Sequence, residues 1–248
     1  MTVIKSSQEV AIMRKAGKIV ATILQKLKEE TKPGIKTQQL DTIAIEELKK
    51  HNARASFKGY RGFPASLCVS VNDEVVHGIP STRRLKDGDI VSLDFGAMVH
   101  GFHGDSAITF PVGKVSPEAQ KLMDVTECAL MAGIKAAHNG SRLGDISAAI
   151  QDYVESRGFS VVREYSGHGV GRSLHEDPLV PNFGPRGEGP VISTGMTLAL
   201  EPMVNTGGWR TRVANNDWTV LTADGSLSAH FEHTIAISDG EPEILTLL

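Results

Sequence analysis

Five acidic or imidazole side chains stand out because each could bind a divalent metal ion. They are Asp94 in VSLDFGA, Asp105 in GFHGDSA, His168 in SGHGVG, Glu201 in LALEPMV and Glu232 in HFEHTIAI. An ionised carboxylate in an apolar setting is strongly disfavoured unless a cation or a proton lies beside it. Four carboxylates and one imidazole can neutralise two divalent ions, so the set predicts the ligands of a two-metal hydrolase. Such oxygen-rich ligation suits Mn, Fe or Co better than a sulfur-rich zinc site.

The alternation of side chains along a strand predicts where these carboxylates point. Period-two alternation places Asp94 on one strand face with Ser92, and Glu201 on one face with Ala199. Glu232 follows the same rule in its own apolar run. Acidic residues in the middle of apolar strands are uncommon, so these three are stronger ligand candidates than their types alone would suggest.

Two members of the set are ambiguous when each is considered alone. Asp105 stands beside a glycine and could be a turn or bulge residue. His168 stands between two glycines and could belong to a loop, although flanking glycines also let a metal and a substrate approach the backbone. The five residues together are much more specific than any one of them.

Three other chemistries fit the sequence poorly. The glycines of GHGVG at 167–171 resemble a dinucleotide-binding loop, but the third is one position early and no apolar-periodic helix follows. Ser106 lacks the glycine that would shape an oxyanion turn, which argues against serine catalysis. HExxH is absent, and Cys68 and Cys128 lie far apart with no CxxC, which excludes a thiolate zinc site.

Length and charge limit the classes of partner. The chain has 248 residues and a formal net charge of -3, so we expect one domain over 1–248 and no specific nucleic-acid binding. The N-terminus lacks the apolar region of a secretory signal, and no run of about 18 apolar residues predicts a membrane span. Two cysteines without framework spacing are typical of a reducing cytoplasm.

The elements that must position the candidate ligands occur in a repeated order of helix, helix and strands. The repeat predicts two halves, about 1–112 and 113–248, with Asp94 and Asp105 in the first half and the other three ligands in the second. Duplication and the general likeness of amphipathic helices explain this weak repeat equally well. The predicted helices run from Ser6 or Ser7 to the stop at Lys32–Pro33–Gly34, from Thr37 to about His51, from Ser116–Pro117 to His138–Asn139–Gly140, and from Leu143 to Ser156. Strands are predicted between Ser66 and Val112, with hairpin-like turns near Asn72–Asp73 and at Lys86–Asp87–Gly88–Asp89.

The phrases SFKGYRGFPASLCVSVNDEVVHGIP, LKDGDIVSLDFGA, GFHGDSA, FSVVREYSGHGVGRSLHEDP, LEPMVN and AHFEHTIAI resemble those of the bacterial, type I methionine aminopeptidases in order and spacing. The resemblance covers nearly the whole chain. It implies the pita-bread fold, an α/β (α+β) arrangement in which a curved antiparallel sheet is backed by helices. It also implies that the five candidate ligands bind two divalent ions, Co, Mn or Fe, with Asp105 and Glu232 bridging them.

The same resemblance implies roles for further residues. His77 in VVHGIP and His175 in LHEDP are implied to be a catalytic pair that hydrogen-bonds the scissile amide and the next peptide group. We expect Glu201 to carry a proton between the attacking water and the leaving nitrogen. Leu174 stands where many relatives carry phenylalanine, and we expect no catalytic role for the remaining histidines, His230 included. The implied methionine pocket consists of Tyr60, Phe63, Cys68, His77, His175 and Trp218, with Phe57 near its rim.

The expected activity is the hydrolytic removal of N-terminal methionine from nascent proteins and peptides whose second residue is small. Nascent polypeptide N-termini, reachable at the ribosome, are the expected partners, and we expect a cytoplasmic monomer. Two alternatives compete with this interpretation. A proline-directed peptidase of the same fold usually carries a large additional N-terminal domain, which the length of this chain disfavours. A metal-free binding module would have other residues at the ligand positions, and all five ligands are present here.

Overall fold

Side-chain caps set the starts of the two longest helices. Ser6 accepts a hydrogen bond from the backbone N–H of Glu9 (3.3 Å), and the Glu9 carboxylate accepts one from the Ser6 N–H (2.9 Å). Ser116 caps the third helix through the Ala119 N–H, with Pro117 at the first helical position. The computed structural model describes residues 2–248. Its helices are α1 Ser7–Glu30, α2 Thr37–Lys50, α3 Pro117–Ala136 and α4 Leu143–Glu155, with a 3-10 turn at Tyr60–Gly62.

The strands that carry the candidate metal ligands are short, apart from one long antiparallel pair, β4 and β5. The strands are β1 Arg54–Ala55, β2 Cys68–Val71, β3 Glu74–Val76, β4 Ile90–Val99, β5 Phe102–Pro111, β6 Ser160–Val161, β7 Ser166–Gly169, β8 Glu176–Pro181, β9 Thr197–Leu200, β10 Met203–Asn205, β11 Thr211–Val213, β12 Val220–Thr222, β13 Ser228–His230, β14 Glu232–Ala236 and β15 Glu243–Ile244.

One main sheet joins the two halves of the chain. Its order is β1-β4-β5-β14-β9-β7-β8, with β2 paired to β4 and β15 paired to β14. Every pairing is antiparallel, and the β5–β14 pair is where the first half meets the second. Two three-stranded sheets, β13-β10-β6 and β11-β12-β3, lie beside it.

Each half of the main sheet packs against its own pair of helices. Apolar residues of α1 and α2, such as Leu27 and Leu40, form one core cluster with Leu93 and Phe95 of β4. Residues of α3 and α4 form a second cluster with β9 and β14. The α/β class and the four predicted helices are confirmed, with helix ends within one or two residues of the predicted ones.

The turns predicted near Asn72–Asp73 and at Lys86–Asp89 are present, but neither joins two paired strands of a hairpin. Asn72 and Asp73 do form a turn, but β2 before it pairs with β4, and β3 after it pairs with β12. Pairing with distant strands buries both segments, which a local hairpin on the surface would not do. None of the helices within residues 2–248 has the length and apolarity that crossing a membrane requires.

The contact between α1 and β5 generates a stability prediction. A Cβ added at Gly104 would lie 2.8 Å from the Gly17 backbone nitrogen, too close for carbon. We expect Gly104→Ala to lower the free energy of unfolding by about 1–3 kcal/mol, the scale for overpacking. Urea denaturation measures this. Gly208→Ala is the control, because its nearest atom, the Asp224 Oδ2, lies at 3.5 Å; it should change stability by less than about 0.5 kcal/mol. Equal effects would contradict close helix–strand packing.

Candidate active site

Strand register brings two of the candidate carboxylates into one row. Asp94 on β4 lies directly opposite Ala107 on β5, and Glu232 on β14 lies opposite Ala107 from the other side. Residues paired across neighbouring strands point to the same face of the sheet. The two carboxylates therefore flank a small alanine side chain, which leaves space above the strand for a ligand.

A threonine fixes the backbone of the third carboxylate. Asp105 is two residues before Ala107, so it faces the same side as the row. The Thr234 hydroxyl accepts from the Asp105 N–H at 3.0 Å and donates to the Asp105 carbonyl oxygen at 2.8 Å. Thr234 is itself two residues beyond Glu232. This pair of hydrogen bonds locks the two strands together where their carboxylates meet.

The remaining two candidates reach the same face from the second half. His168 on β7 pairs with Ala199 on β9, and Ala199 pairs with Thr234 on β14. Glu201 follows the end of β9 and is two residues beyond Ala199. All five candidate ligands therefore project from one face of the main sheet, which is the arrangement that alternation predicts for three of them.

The hydrogen bonds of His168 leave one ring nitrogen free to act as a ligand. Its Nδ1 lies 2.8 Å from the Gly169 carbonyl oxygen, which can only accept, so Nδ1 carries the proton. The Nε2 then keeps its lone pair, and it lies 3.5 Å from Oε1 of Glu201. The flanking glycines serve backbone packing, because a Cβ at Gly167 would lie 2.3 Å from the Ala199 carbonyl oxygen.

The cluster fits divalent metal ions. Ligand atoms of Asp105, His168 and Glu232 all lie within 4.8 Å of one another, and all three residues are buried. Asp94 Oδ1, Asp105 Oδ1 and Glu232 Oε1 are buried atoms without a hydrogen-bond partner among the described residues. Buried carboxylate oxygens are rarely left unpaired, and a cation among them would satisfy all three.

Burial controls the protonation of the same groups. It raises the pKa of Asp105 to about 7, and burial with repulsion from neighbouring carboxylates raises the pKa values of Asp94, Glu201 and Glu232 well above the ordinary range. Burial also lowers the pKa of His168 to about 4, which keeps its imidazole neutral and able to coordinate. Protons and metal ions therefore compete for these oxygens.

Aromatic side chains wall a cavity of about 130 Å³ above the carboxylates. The Tyr60 and His175 rings stack with centroids 5.1 Å apart, and the Phe63 and Trp218 rings meet edge to face at 5.1 Å. The buried Cys68 pairs with Asp94 in register and joins this wall to the acidic face. Every residue predicted for the site lines this one cavity.

The two implied catalytic histidines both line the cavity, each beside a different ring. The His175 ring centroid is 4.1 Å from that of His168, and the His77 centroid is 6.4 Å from that of Trp218. Burial lowers the pKa of His77 to about 4 and that of His175 to about 3, so both are neutral donors near pH 7. His77 has a positive φ of 60°, a strained conformation for a non-glycine residue that is frequent at functional sites.

Three residues at the site had no assigned role in the sequence analysis. Arg61 lines the cavity with its guanidinium 5.5 Å from the Tyr60 ring centroid, and its backbone is left-handed at φ 49°. Leu174 is buried in the same wall. His230 is fully buried, with its Nε2 3.7 Å from Oε2 of Glu201. Its spacing of two residues from Glu232 is not a usable signal, because the two residues belong to different sheets.

Comparisons with known proteins agree with this geometry. Residues 11–239 match the model of metallopeptidase family M24. The chain is 56% identical over its whole length to a methionine aminopeptidase of Clostridium perfringens, covering all of that protein, and 55% identical to methionine aminopeptidase 1 of Bacillus subtilis, covering 99% of each chain. It superposes on the crystal structure of a methionine aminopeptidase from Thermotoga maritima with a TM-score of 0.99 at 48% identity, with full coverage of both chains.

The match to a prolidase from Pyrococcus furiosus has a TM-score of 0.82 at 20% identity and covers 66% of that protein, which shows a shared fold alone. A metal-dependent peptidase is thus the class that fold and site define. The chain belongs to metallopeptidase family M24 and, within it, to the methionine aminopeptidases of bacterial type. The predicted pita-bread fold is confirmed.

The raised carboxyl pKa values generate a prediction about metal binding. Because Asp105 holds its proton up to a pKa of about 7, a metal ion must displace that proton at lower pH. We expect the affinity for Mn²⁺ to weaken as the pH falls below about 7, by up to about tenfold per pH unit for each competing proton. Titration calorimetry in buffers of different ionisation enthalpy measures affinity and proton release together. A pH-independent affinity without proton release would contradict the raised pKa values.

Proposed function

We propose that the five clustered ligands bind two divalent ions and that the cavity above them holds an N-terminal methionine for hydrolysis. Removal of N-terminal methionine by a metal-dependent hydrolase is the activity of the family to which the chain belongs. One observation carries the assignment of the site: all five ligands project from a single sheet face into the floor of an aromatic-walled cavity. Mn, Fe and Co are the ions that suit these oxygen-rich ligands.

Two bound ions would lower the pKa of a water molecule and polarise the scissile carbonyl. Asp94, Asp105, His168, Glu201 and Glu232 would hold them, with Asp105 and Glu232 at the centre of the face as the bridging pair. The unpaired oxygens of Asp94, Asp105 and Glu232 support this arrangement. The free amino group of the substrate would lie near Asp94, which restricts cleavage to the first residue of a chain.

Glu201 is the proposed proton carrier. Burial raises the pKa of Glu201 well above the ordinary range for a carboxyl group. The raised pKa lies closer to the pH at which a general base must both accept and release a proton. It would take a proton from the attacking water and deliver it to the leaving amide nitrogen as the C–N bond breaks. Free methionine and a peptide with a new N-terminus are the products.

The two cavity histidines are proposed to bind the reacting amide. Both are neutral near pH 7, because burial lowers their pKa values, so each can donate one N–H. His175 stacks on Tyr60 and lies beside His168, where it can donate to the scissile carbonyl oxygen as negative charge develops. His77 lies beside Trp218, on the side where the next peptide group would pass.

The aromatic wall is the proposed methionine pocket. Phe63, Cys68 and Trp218 present aromatic and sulfur surfaces, which suit a polarizable thioether. Tyr60 and Phe57 extend the wall toward the entrance. Leu174 replaces a larger ring in the wall, and we propose that this makes the pocket wider beside His175.

We propose that residues 1–248 form one catalytic domain with halves at about 1–112 and 113–248, because the site takes ligands from both. We propose that the partners are the N-termini of nascent polypeptides and that the chain acts on them as a monomer in the cytoplasm, within reach of ribosomes. Cys68 and Cys128 are both free thiols, in keeping with a reducing compartment.

Metal removal should abolish activity. We expect exhaustive chelation with EDTA to stop cleavage of Met-Ala-Ser, because without the ions neither the attacking water is acidified nor the scissile carbonyl polarised, and Mn²⁺, Fe²⁺ or Co²⁺ to restore it. Calorimetric titration of the metal-free protein should reach saturation at about two equivalents of Mn²⁺ if both proposed sites fill. Full turnover after verified metal removal would contradict the mechanism, and saturation at one equivalent would contradict the second ion.

Loss of the His175 donor should slow catalysis without loss of metal. We expect His175→Ala to lower kcat by roughly 100-fold or more, the scale of a lost oxyanion or proton-transfer partner. His77→Ala should behave similarly. Mn²⁺ affinity, measured on the same preparations, should stay near that of the wild type because neither imidazole is a proposed ligand. Wild-type kcat in both variants would remove the histidines from the mechanism.

A peptide panel tests the substrate assignment. The proposal requires kcat/KM for Met-Ala-Ser to exceed that for Met-Leu-Ser by several orders of magnitude, because steric repulsion at the second residue discriminates more than the ~1–3 kcal/mol of an absent methylene contact. Leu-Ala-Ser should also be a poor substrate. Trp218→Ala should weaken the preference for methionine over leucine while leaving the second-residue preference intact. Equal rates for the first two peptides would refute the small-residue filter, and equal rates for the first and third would refute methionine specificity.

A further inference from the structure

A buried histidine beside Glu201 has no partner of its own. His230 ends β13 with an exposed fraction of 1%, and within residues 2–248 neither of its ring nitrogens makes a hydrogen bond. Leaving a buried polar group unsatisfied costs about 1–3 kcal/mol. A hydrogen-bond partner is therefore expected close to the buried His230 imidazole.

The nearest charged acceptor to the His230 ring is the Glu201 carboxylate. His230 Nε2 lies 3.7 Å from Glu201 Oε2, while Nε2 of His168 lies 3.5 Å from the other oxygen, Oε1. Glu201 thus lies between two imidazoles, one for each carboxylate oxygen. His168 carries its proton on Nδ1, so it offers Glu201 no N–H.

The backbone of His230 is held firmly in place. Its N–H donates to the Thr109 hydroxyl at 2.9 Å, and that hydroxyl donates to the His230 carbonyl oxygen at 2.7 Å. The Ser92 hydroxyl lies 2.8 Å from the same Thr109 oxygen, and His230 pairs in register with Met203, two residues after Glu201. The backbone that carries the ring is therefore anchored to β5 and β10, whereas the terminal torsion of a glutamate is soft.

We propose that His230 is a positioning residue that donates its Nε2–H to Oε2 of Glu201 and so orients this carboxylate for metal binding and proton transfer. The bond requires the two atoms, 3.7 Å apart, to approach to the 2.7–3.2 Å range of a hydrogen bond, and the soft terminal torsion of Glu201 permits that movement. The bond leaves Oε1 directed toward the side of His168 and the metal ligands. Hydrogen bonds from outer residues to metal ligands orient them in this way in many metal sites. The inference rests on the proposed function of Glu201.

Two conservative substitutions distinguish the ring nitrogens. The amide nitrogen of glutamine occupies nearly the place of Nε2, whereas that of asparagine corresponds to Nδ1. We expect His230→Gln to keep the Mn²⁺ affinity within about threefold of wild type and His230→Asn to weaken it by roughly 10- to 100-fold, the scale for loss of an outer partner. Calorimetry on the metal-free proteins gives these constants, and kcat for Met-Ala-Ser should follow the same order with little change in KM.

His233→Gln is the matched control. His233 belongs to β14, the next strand along the chain. Its Nδ1 hydrogen-bonds the Thr246 hydroxyl at 2.8 Å and not Glu201. Its substitution should leave the Mn²⁺ affinity unchanged. Thermal unfolding followed by circular dichroism establishes that the variants compared are folded. Equal Mn²⁺ affinities for His230→Gln and His230→Asn would overturn the proposal, as would loss of affinity in His233→Gln as large as in His230→Asn.

The wild-type protein offers a test that needs no variant. In protein with ¹⁵N-labelled histidine, loaded with diamagnetic Zn²⁺, the His230 resonances should show a neutral ring with the proton on Nε2. A proton on Nδ1 would overturn the proposal. These readouts do not depend on the substrate, so a wild-type protein that fails to cleave methionyl peptides would refute the proposed function while the role of His230 toward Glu201 is still decided by calorimetry and NMR.

Discussion

Repulsion among buried carboxylates is the interaction on which the rest of the site depends. Asp94, Asp105 and Glu232 lie on one sheet face, each with a buried oxygen that no described residue satisfies. Such a face can be ionised only if cations replace the lost water, because the burial of unpaired charge is prohibitively costly. The strands hold the carboxylates together through Thr234 and the long β4–β5 pairing, so folding brings like charges together and metal binding offsets the repulsion.

Burial disfavours the charged form of the carboxylates, and it also keeps the histidines neutral. It lowers the pKa values of His77, His168 and His175 to about 3–4, so each ring stays neutral throughout the physiological range. A neutral imidazole has one lone pair and one N–H, and its neighbours decide which nitrogen carries the proton. The Gly169 carbonyl makes this choice for His168, which frees Nε2 for a metal. One environment thus suits the ligand role proposed for His168 and the hydrogen-bond donor roles proposed for His77 and His175.

Alternation and local phrases were sufficient to predict the four helices and the faces of Asp94, Glu201 and Glu232. Register was not predictable, because nothing in the local sequence indicates that Asp94 and Glu232 lie on either side of Ala107. The turn at Asn72–Asp73 has the sequence of a hairpin turn, but the strands on its two sides pair with distant strands instead of with each other. His230 was missed for a related reason. His230 is the last residue of β13 in one sheet, and Glu232 is the first residue of β14 in another. The alternation of side chains within a single strand therefore does not predict how the His230 ring lies relative to the carboxylates of the main sheet.

The fold alone does not determine the substrate pocket. A prolidase with 20% identity has the same fold, so the sheet and its helices do not by themselves select a substrate. In this chain the ligands come from sheet strands or directly follow one, whereas Tyr60, Phe63 and Trp218 of the wall lie in short turns and loops outside the main sheet. A loop residue can change size without disturbing the register that holds the ligands. Leu174 is such a residue: it is buried in the wall immediately before His175 and lies outside the strands that carry the proposed ligands, so its size bears on the shape of the pocket and not on the register of the sheet.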